Sequence, residues 1–117
     1  MPQNPLNLQQ FYNPVPTQIG AGGMKTIVKT SAAAIKTSTA RVCLIKITNM
    51  GTTSGAFTLN DCTTTGAATA ANVILTIPFT AVLYLNNPTS LEFQCVNGLT
   101  LSAVPGGGSP SITIRYV

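Results

Sequence analysis

The chain has 117 residues and a mass of 12.1 kDa, the size of one domain with a single modest hydrophobic core. Hydrophobic residues make up 44% of it, which argues against a disordered chain, yet only 7% of its residues are charged, against about 25% in an ordinary soluble domain. Because so few charges give weak repulsion between molecules, we expect much of the surface to face other protein, the alternative being a neutral soluble monomer.

Residues 1–24 are predicted to form an extended N-terminal arm. No charged residue precedes Lys25, and Pro2, Pro5, Pro14 and Pro16 disfavour a helix. Such an arm could span roughly 75 Å at about 3.3 Å per residue. A solvated linker would be more charged and less apolar, so we expect the arm to dock along a neighbouring subunit, the alternative being an undocked tail. The residues expected to make the contact are Leu6, Leu8, Phe11, Tyr12, Val15 and Ile19.

The net charge is +4, and five of the six Lys and Arg residues lie between Lys25 and Lys46. A cluster of cations can be the footprint of nucleic-acid binding. This segment, however, has no aromatic residue and no run of arginines, and phosphate binding usually needs a denser basic patch. We therefore expect solvated strand positions or contacts with an acidic partner protein, and no nucleic acid as partner.

Residues 25–117 are predicted to form a β domain, because apolar residues recur at every second position. Arg41–Thr48 is a strong strand, whose two faces are Cys43, Ile45 and Ile47, and Val42, Leu44 and Lys46. The segment Ala32–Lys36 is ambiguous. The other predicted strands are Thr26–Thr30, Ala56–Asn60, Val73–Ile77, Ala81–Leu85, Leu91–Cys95, Leu99–Ala103 and Ile112–Tyr116.

Turn residues separate these strands. Gly51 and Gly55 predict a hairpin over Arg41–Asn60, and Asn97-Gly98 predicts a type I′ turn between the strands Leu91–Cys95 and Leu99–Ala103. Residues 61–72 are predicted to be a surface loop without anchoring side chains, and residues 105–110 a flexible Gly-rich loop. The pattern predicts an all-β fold, a single antiparallel β-sandwich of about eight strands behind the extended arm, and leaves jelly-roll and Ig-like topologies open.

The sequence offers few groups for chemistry. It has no His, and its carboxylates, Asp61 and Glu92, are expected to be separate solvated groups rather than a catalytic pair. The run Gly106–Gly108 lacks the Lys-Ser/Thr ending of a phosphate loop. We expect no enzyme activity, no catalytic residue, no cofactor and no metal site. Exposure of Phe79 and Tyr84 would leave sugar binding open.

Three cysteines, Cys43, Cys62 and Cys95, show no Cys-x-x-Cys spacing, which argues against a disulfide framework or a zinc site. Two of them, Cys43 and Cys95, are predicted on apolar strand faces, where a thiol packs as a small hydrophobe. There is no signal-peptide pattern and no apolar run long enough to cross a membrane. We expect folding in a reducing cytosol and no membrane partner.

The order of arm, strands and Gly-rich turns also has a family resemblance. The arm leads to the stretch RVCLIKITNMGTTSGAFTLND, residues 41–61, and the chain ends with VNGLTL, residues 96–101, a Gly-rich loop and ITIRY, residues 112–116. This pattern of strands and turns contains no diagnostic motif, but it resembles that of the small virion proteins of tailed bacteriophages, especially capsid decoration (cement) proteins.

The resemblance implies a non-enzymatic virion structural protein, made in the bacterial host cytoplasm, that binds and stabilises the outer surface of a bacteriophage capsid. Its partner would be the major capsid protein. Members of the family commonly sit as homotrimers at threefold positions, where they clamp neighbouring capsid subunits. The alternatives are a phage tail, neck or head-fibre component, and a carbohydrate-binding β-sandwich module.

Overall fold

The computed structural model describes residues 23–117, which contain eight β-strands and three 3₁₀ turns. The all-β prediction is confirmed. The contact residues predicted in the arm, Leu6, Leu8, Phe11, Tyr12, Val15 and Ile19, lie outside the described residues. The strands are β1 (Lys25–Lys29), β2 (Ala33–Lys36), β3 (Ala40–Asn49), β4 (Ala56–Asn60), β5 (Val73–Pro78), β6 (Thr89–Cys95), β7 (Leu99–Ala103) and β8 (Ser111–Tyr116), and the 3₁₀ turns are Thr65–Ala67, Ala70–Asn72 and Val82–Tyr84.

The strands form two four-stranded antiparallel sheets. Sheet A has the order β1-β8-β3-β6 and sheet B the order β2-β7-β4-β5. Pairing β1 with β8, β2 with β7, β3 with β6 and β4 with β5 makes the chain one long antiparallel ribbon, whose successive pairs alternate between the sheets. This connectivity agrees with the jelly-roll alternative. It differs from the Ig order, in which the first two strands are neighbours in one sheet.

The core lies between the two sheets and comes from alternate residues of their strands. In β8, Ile112 and Ile114 are fully buried, and in β4, Phe57 and Leu59 are 1% exposed, so the predicted inner faces of both strands are confirmed. Burying one such side chain contributes about 1.5–3 kcal/mol to folding. Among the described residues, the buried cluster and the apolar residues packed on it run from Ile27 to Tyr116.

Both predicted hairpins are wrong. The strands β3 and β4 lie in different sheets, and so do β6 and β7. The links 50–55 and 96–98 therefore cross from one sheet to the other, and neither Asn97 nor Gly98 has the positive φ that a type I′ turn requires. Alternation along a strand identifies its buried face, but both sheets bury one face, so it cannot identify the sheet.

The strands of the structure also differ from the predicted strands in three places. The ambiguous segment is a strand, Ala33–Lys36, whereas the predicted strand Ala81–Leu85 forms a 3₁₀ turn closed by the Leu85 amide donating to the Val82 carbonyl at 3.1 Å. In β3 the register shifts between Val42 and Leu44 in both ladders. Val42 consequently joins the core, whereas Cys43, predicted to share an apolar face with Ile45 and Ile47, is half-buried at this irregularity.

The links gather at the two ends of the sandwich. The glycine-rich end consists of links 30–32, 50–55, 79–88 and 104–110, and there Gly106 accepts from the amides of Thr52 and Thr53 and donates to the Ser54 carbonyl. The loop predicted to be flexible is thus bonded to its neighbour. The Asp61 end consists of links 37–39, 61–72 and 96–98, and β1 starts there, opposite Tyr116.

Candidate assembly surfaces

Asp61 fastens the links at its end of the sandwich. Its Oδ1 accepts from the amides of Asn97 at 2.8 Å and Gly98 at 3.2 Å, and its Oδ2 accepts from the amide of Val96 at 3.1 Å. Partial burial alone would raise the pKa of this carboxyl, but the three amides outweigh it and hold the pKa below its usual value. Asp61 was expected to be a solvated carboxylate, so its bonds to these three amides correct that expectation.

At the Asp61 end of the sandwich, the chain itself covers the outer face of sheet B around Asn60 and Thr100. Asn60 is 1% exposed and Thr100 fully buried, although both point away from the core. Asn60 Nδ2 donates to the Asn72 Oδ1 at 2.6 Å and to the Thr69 carbonyl at 3.0 Å, while Ser102 Oγ lies 2.6 Å from Asn60 Oδ1. Residues 61–72 are therefore fixed over this face. The prediction that they form a loop without anchoring side chains is wrong.

The outer face of sheet A carries no such cover among the described residues. Two rows of paired residues cross it. The first row is Thr26, Arg115, Leu44 and Ser90, and the second is Val28, Thr113 and Lys46. Arg41 belongs to the same face, and its Nη1 lies 3.8 Å from the Glu92 carboxylate, where both side chains are largely exposed. This surface combines hydroxyls, cations and a little apolar area.

Exposed apolar side chains lie mostly in links and at the edge strand β1. Val82 is 68% and Leu83 63% exposed, next to each other on the 3₁₀ turn of the glycine-rich end. That turn is held by the Asn87 side chain donating to the Leu83 carbonyl at 3.0 Å and by the Asn86 amide donating to the Ile47 carbonyl at 2.7 Å. The two side chains are thus displayed on a fixed support.

The aromatic rings that the structure describes do not form an exposed platform. Phe79 and Tyr84 are both half-buried, and Tyr84 packs against the core. Phe57 and Tyr116 are buried, and Phe93 packs on the same cluster. The rings that kept sugar binding open are thus only partly available to a ligand.

The described residues offer no assembled chemical centre. Asp61 contacts the amides of residues 96–98, and Glu92 approaches Arg41, so the structure does not bring the two carboxylates into one site. No group of three or more His, Cys, Asp or Glu side chains is gathered within residues 23–117. In the same range, no helix is long and apolar enough to span a membrane.

All three cysteines lie in this range, and none is in a disulfide. Cys95 is fully buried, and burial, with a smaller contribution from the nearby Asp61 charge, raises the pKa of its thiol to about 11. Such a thiol is a poor nucleophile at neutral pH, because the reactive form is the thiolate.

Comparison with known proteins adds no relative. No family model matches the chain, and neither a curated protein nor a solved structure matches it.

Proposed function

We propose that the chain is a non-enzymatic structural protein of a bacteriophage virion, a decoration protein that binds and stabilises the outer surface of the capsid. The observation that carries the proposal is the position of β1. It is an edge strand of sheet A, paired only with β8 among the described residues, and the uncharged N-terminal segment leads directly into it. A segment continuous with an edge strand can dock along a neighbour, and an open edge can accept a strand from one.

The chemistry of the surface supports the same proposal. An interface can cover this domain without desolvating many ions, since the chain has six cations and two carboxylates. The fixed pair Val82 and Leu83 offers apolar contact area whose side chains lose little freedom on binding. Repetition of such contacts over a symmetric shell, with the chain as a trimer, multiplies modest affinities.

The test is binding to phage heads purified from a phage whose gene for this chain is deleted. The full chain is compared with residues 24–117, a truncation that keeps every member of the core cluster found among the described residues. We expect the full chain to sediment with the heads and the truncation to remain in solution while keeping its β-sheet circular dichroism. Normal sedimentation of the truncated protein would refute a role for the arm.

A full-length variant with three arm substitutions, Leu6→Ser, Leu8→Ser and Phe11→Ser, separates side-chain contacts from arm length. Its matched control is Gln3→Ser, Gln9→Ser and Gln10→Ser. Burial of three such apolar side chains is worth about 5 kcal/mol or more, so the first variant should bind at least about 1,000-fold more weakly and the control normally. Equal affinities would show that these apolar residues do not dock.

The same β1 edge would also suit a tail, neck or head-fibre component. Gold-labelled antibody against the chain, imaged on intact virions by electron microscopy, distinguishes these positions. Label distributed over the head supports the decoration proposal, whereas label confined to the tail, neck or fibres assigns the chain to those structures. A carbohydrate-binding role would instead give hits on a glycan array.

A further inference from the structure

The cations that cluster in the sequence do not cluster in space. Lys25 and Lys29 pair with buried residues of β8, so their side chains project from the side of β1 opposite the outer face. Lys36 is in sheet B. The outer face of sheet A instead brings Arg41 and Lys46 of β3 together with Arg115, which the sequence places some 70 positions away on β8.

Arg115 is the centre of this group. It lies directly opposite Leu44, while Lys46 lies opposite Thr113. Arg115 and Lys46 are therefore diagonal neighbours, whose Cα atoms are roughly 7–8 Å apart in an antiparallel pair. Arg41 exchanges backbone bonds with Val117 and is the diagonal neighbour on the other side. Like charges at this spacing repel one another weakly, so the arrangement contributes nothing to folding.

Carboxylates within the domain do not neutralise the group. Among the described residues the single ion pair joins Arg41 to Glu92, and the other acidic side chain, Asp61, accepts from the backbone amides of residues 96–98. Within residues 23–117 the side chain of Arg115 has one hydrogen-bond partner, the Thr26 hydroxyl, which accepts from its Nε at 3.4 Å. Arg115 and Lys46 therefore remain available to a partner.

We infer that the outer face of sheet A docks onto an acidic protein surface, with Arg115 and Lys46 pairing with its carboxylates and the exposed Val28 adding apolar contact. The inference rests on the proposed function, under which that surface belongs to the capsid shell. Hydroxyls alternate with the cations on this face, as Thr26, Thr113 and Ser90 do, and they can bond the same carboxylates.

Protein suits this face better than nucleic acid does. Single-stranded nucleic acid binds where aromatic rings stack on the bases, and the rings of β6 and β8, Phe93 and Tyr116, lie on the core side. Duplex binding relies on many phosphate contacts, whereas this face has three cations, one of them facing Glu92.

The experiment uses the full chain and two double variants of equal net charge. The face variant is Lys46→Glu with Arg115→Glu. The control is Lys36→Glu with Lys25→Glu, which likewise changes one half-buried and one exposed cation but leaves the face intact. Binding is measured to a 20-residue glutamate-rich peptide, to a 20-base-pair DNA duplex and to heads lacking the chain, at low and at physiological salt, after thermal melts show that each variant is folded.

We expect the face variant to lose about tenfold in affinity for the peptide and for the heads, and the control less than about threefold, with all affinities falling as salt rises. Equal losses in the two variants would overturn the inference, because only net charge would then matter. Tighter binding to the duplex than to the peptide would overturn it in favour of nucleic acid. If the wild-type chain fails to bind heads but the face variant binds the peptide about tenfold more weakly, the proposed function is refuted, while the inference that this face binds acidic protein still stands.

Discussion

Replacing Gly98 by Ala tests how the two sheets meet at the Asp61 end. A Cβ at this position would lie 2.7 Å from the Cys62 carbonyl oxygen and 2.7 Å from that of Lys36. Both are backbone atoms, one in the link 61–72 and the other at the end of β2, so relief requires these segments to move away from Gly98. Forcing an extra carbon into such a site costs about 1–3 kcal/mol, and the Asp61 bond to the Gly98 amide would be disturbed as well.

One opposing effect is the smaller entropy of the unfolded chain when Gly becomes Ala, worth about 0.4–1 kcal/mol. We therefore expect a net loss of about 2 kcal/mol in the free energy of unfolding, or a fall of about 8–16 °C in Tm for a domain of this size. Guanidinium titration followed by far-ultraviolet circular dichroism measures it, since the chain has no Trp.

A second substitution, Gly98→Asn, distinguishes close packing from turn geometry. In a type I′ turn Asn would be well tolerated, because it adopts positive φ readily, whereas at a close backbone approach it meets the same carbonyls as Ala. The control is Gly66→Ala, where a Cβ has no atom within 4 Å, and it should leave stability unchanged or slightly raised. Wild-type stability in Gly98→Asn would refute the reasoning.

Three further predictions concern polar groups and thiols. Asp61→Asn should lower the free energy of unfolding by about 1 kcal/mol at pH 6. Because the pKa of Asp61 is lowered in the folded state, the wild type is the more stable protein above about pH 4, and the difference disappears as the pH falls through the folded pKa. A stability difference that does not change with pH would contradict this prediction. Asn60→Ala should cost about 2–3 kcal/mol by leaving buried partners unbonded, and Asn87→Ala, at an exposed site, much less; equal costs in denaturant titrations would contradict the network. In thiol labelling at pH 8, Cys43 should react in the native state and Cys95 only on unfolding, and equal rates would show that Cys95 is accessible.

The alternation of apolar and polar residues predicted the features that belong to a single strand, such as which of its faces is buried. In β8 and β4 the apolar residues at every second position are the buried ones, because a regular strand of a sandwich buries one face. The same rule failed at Cys43, since a register shift breaks the period without any sign in the residue types.

The contacts between different strands and links were not predictable from this alternation. Asn97-Gly98 has the composition of a hairpin turn, yet the glycine is needed because two carbonyls approach it. The role of Asp61 depends on the amides of residues 96–98, more than 30 positions away, and that proximity exists only once the ribbon has folded over. The group of cations on the outer face of sheet A was not predictable either, because its members come from β3 and β8, which are far apart in the sequence.

Amide hydrogen exchange of the full chain, free and bound to phage heads, tests the central proposal most directly. Docking of the N-terminal segment predicts that amides within residues 1–22 exchange much more slowly on the heads than in the free protein, while core amides such as those of Ile112 and Ile114 change little. Unchanged exchange in residues 1–22 on fully occupied heads would contradict the proposal that this segment docks onto the shell.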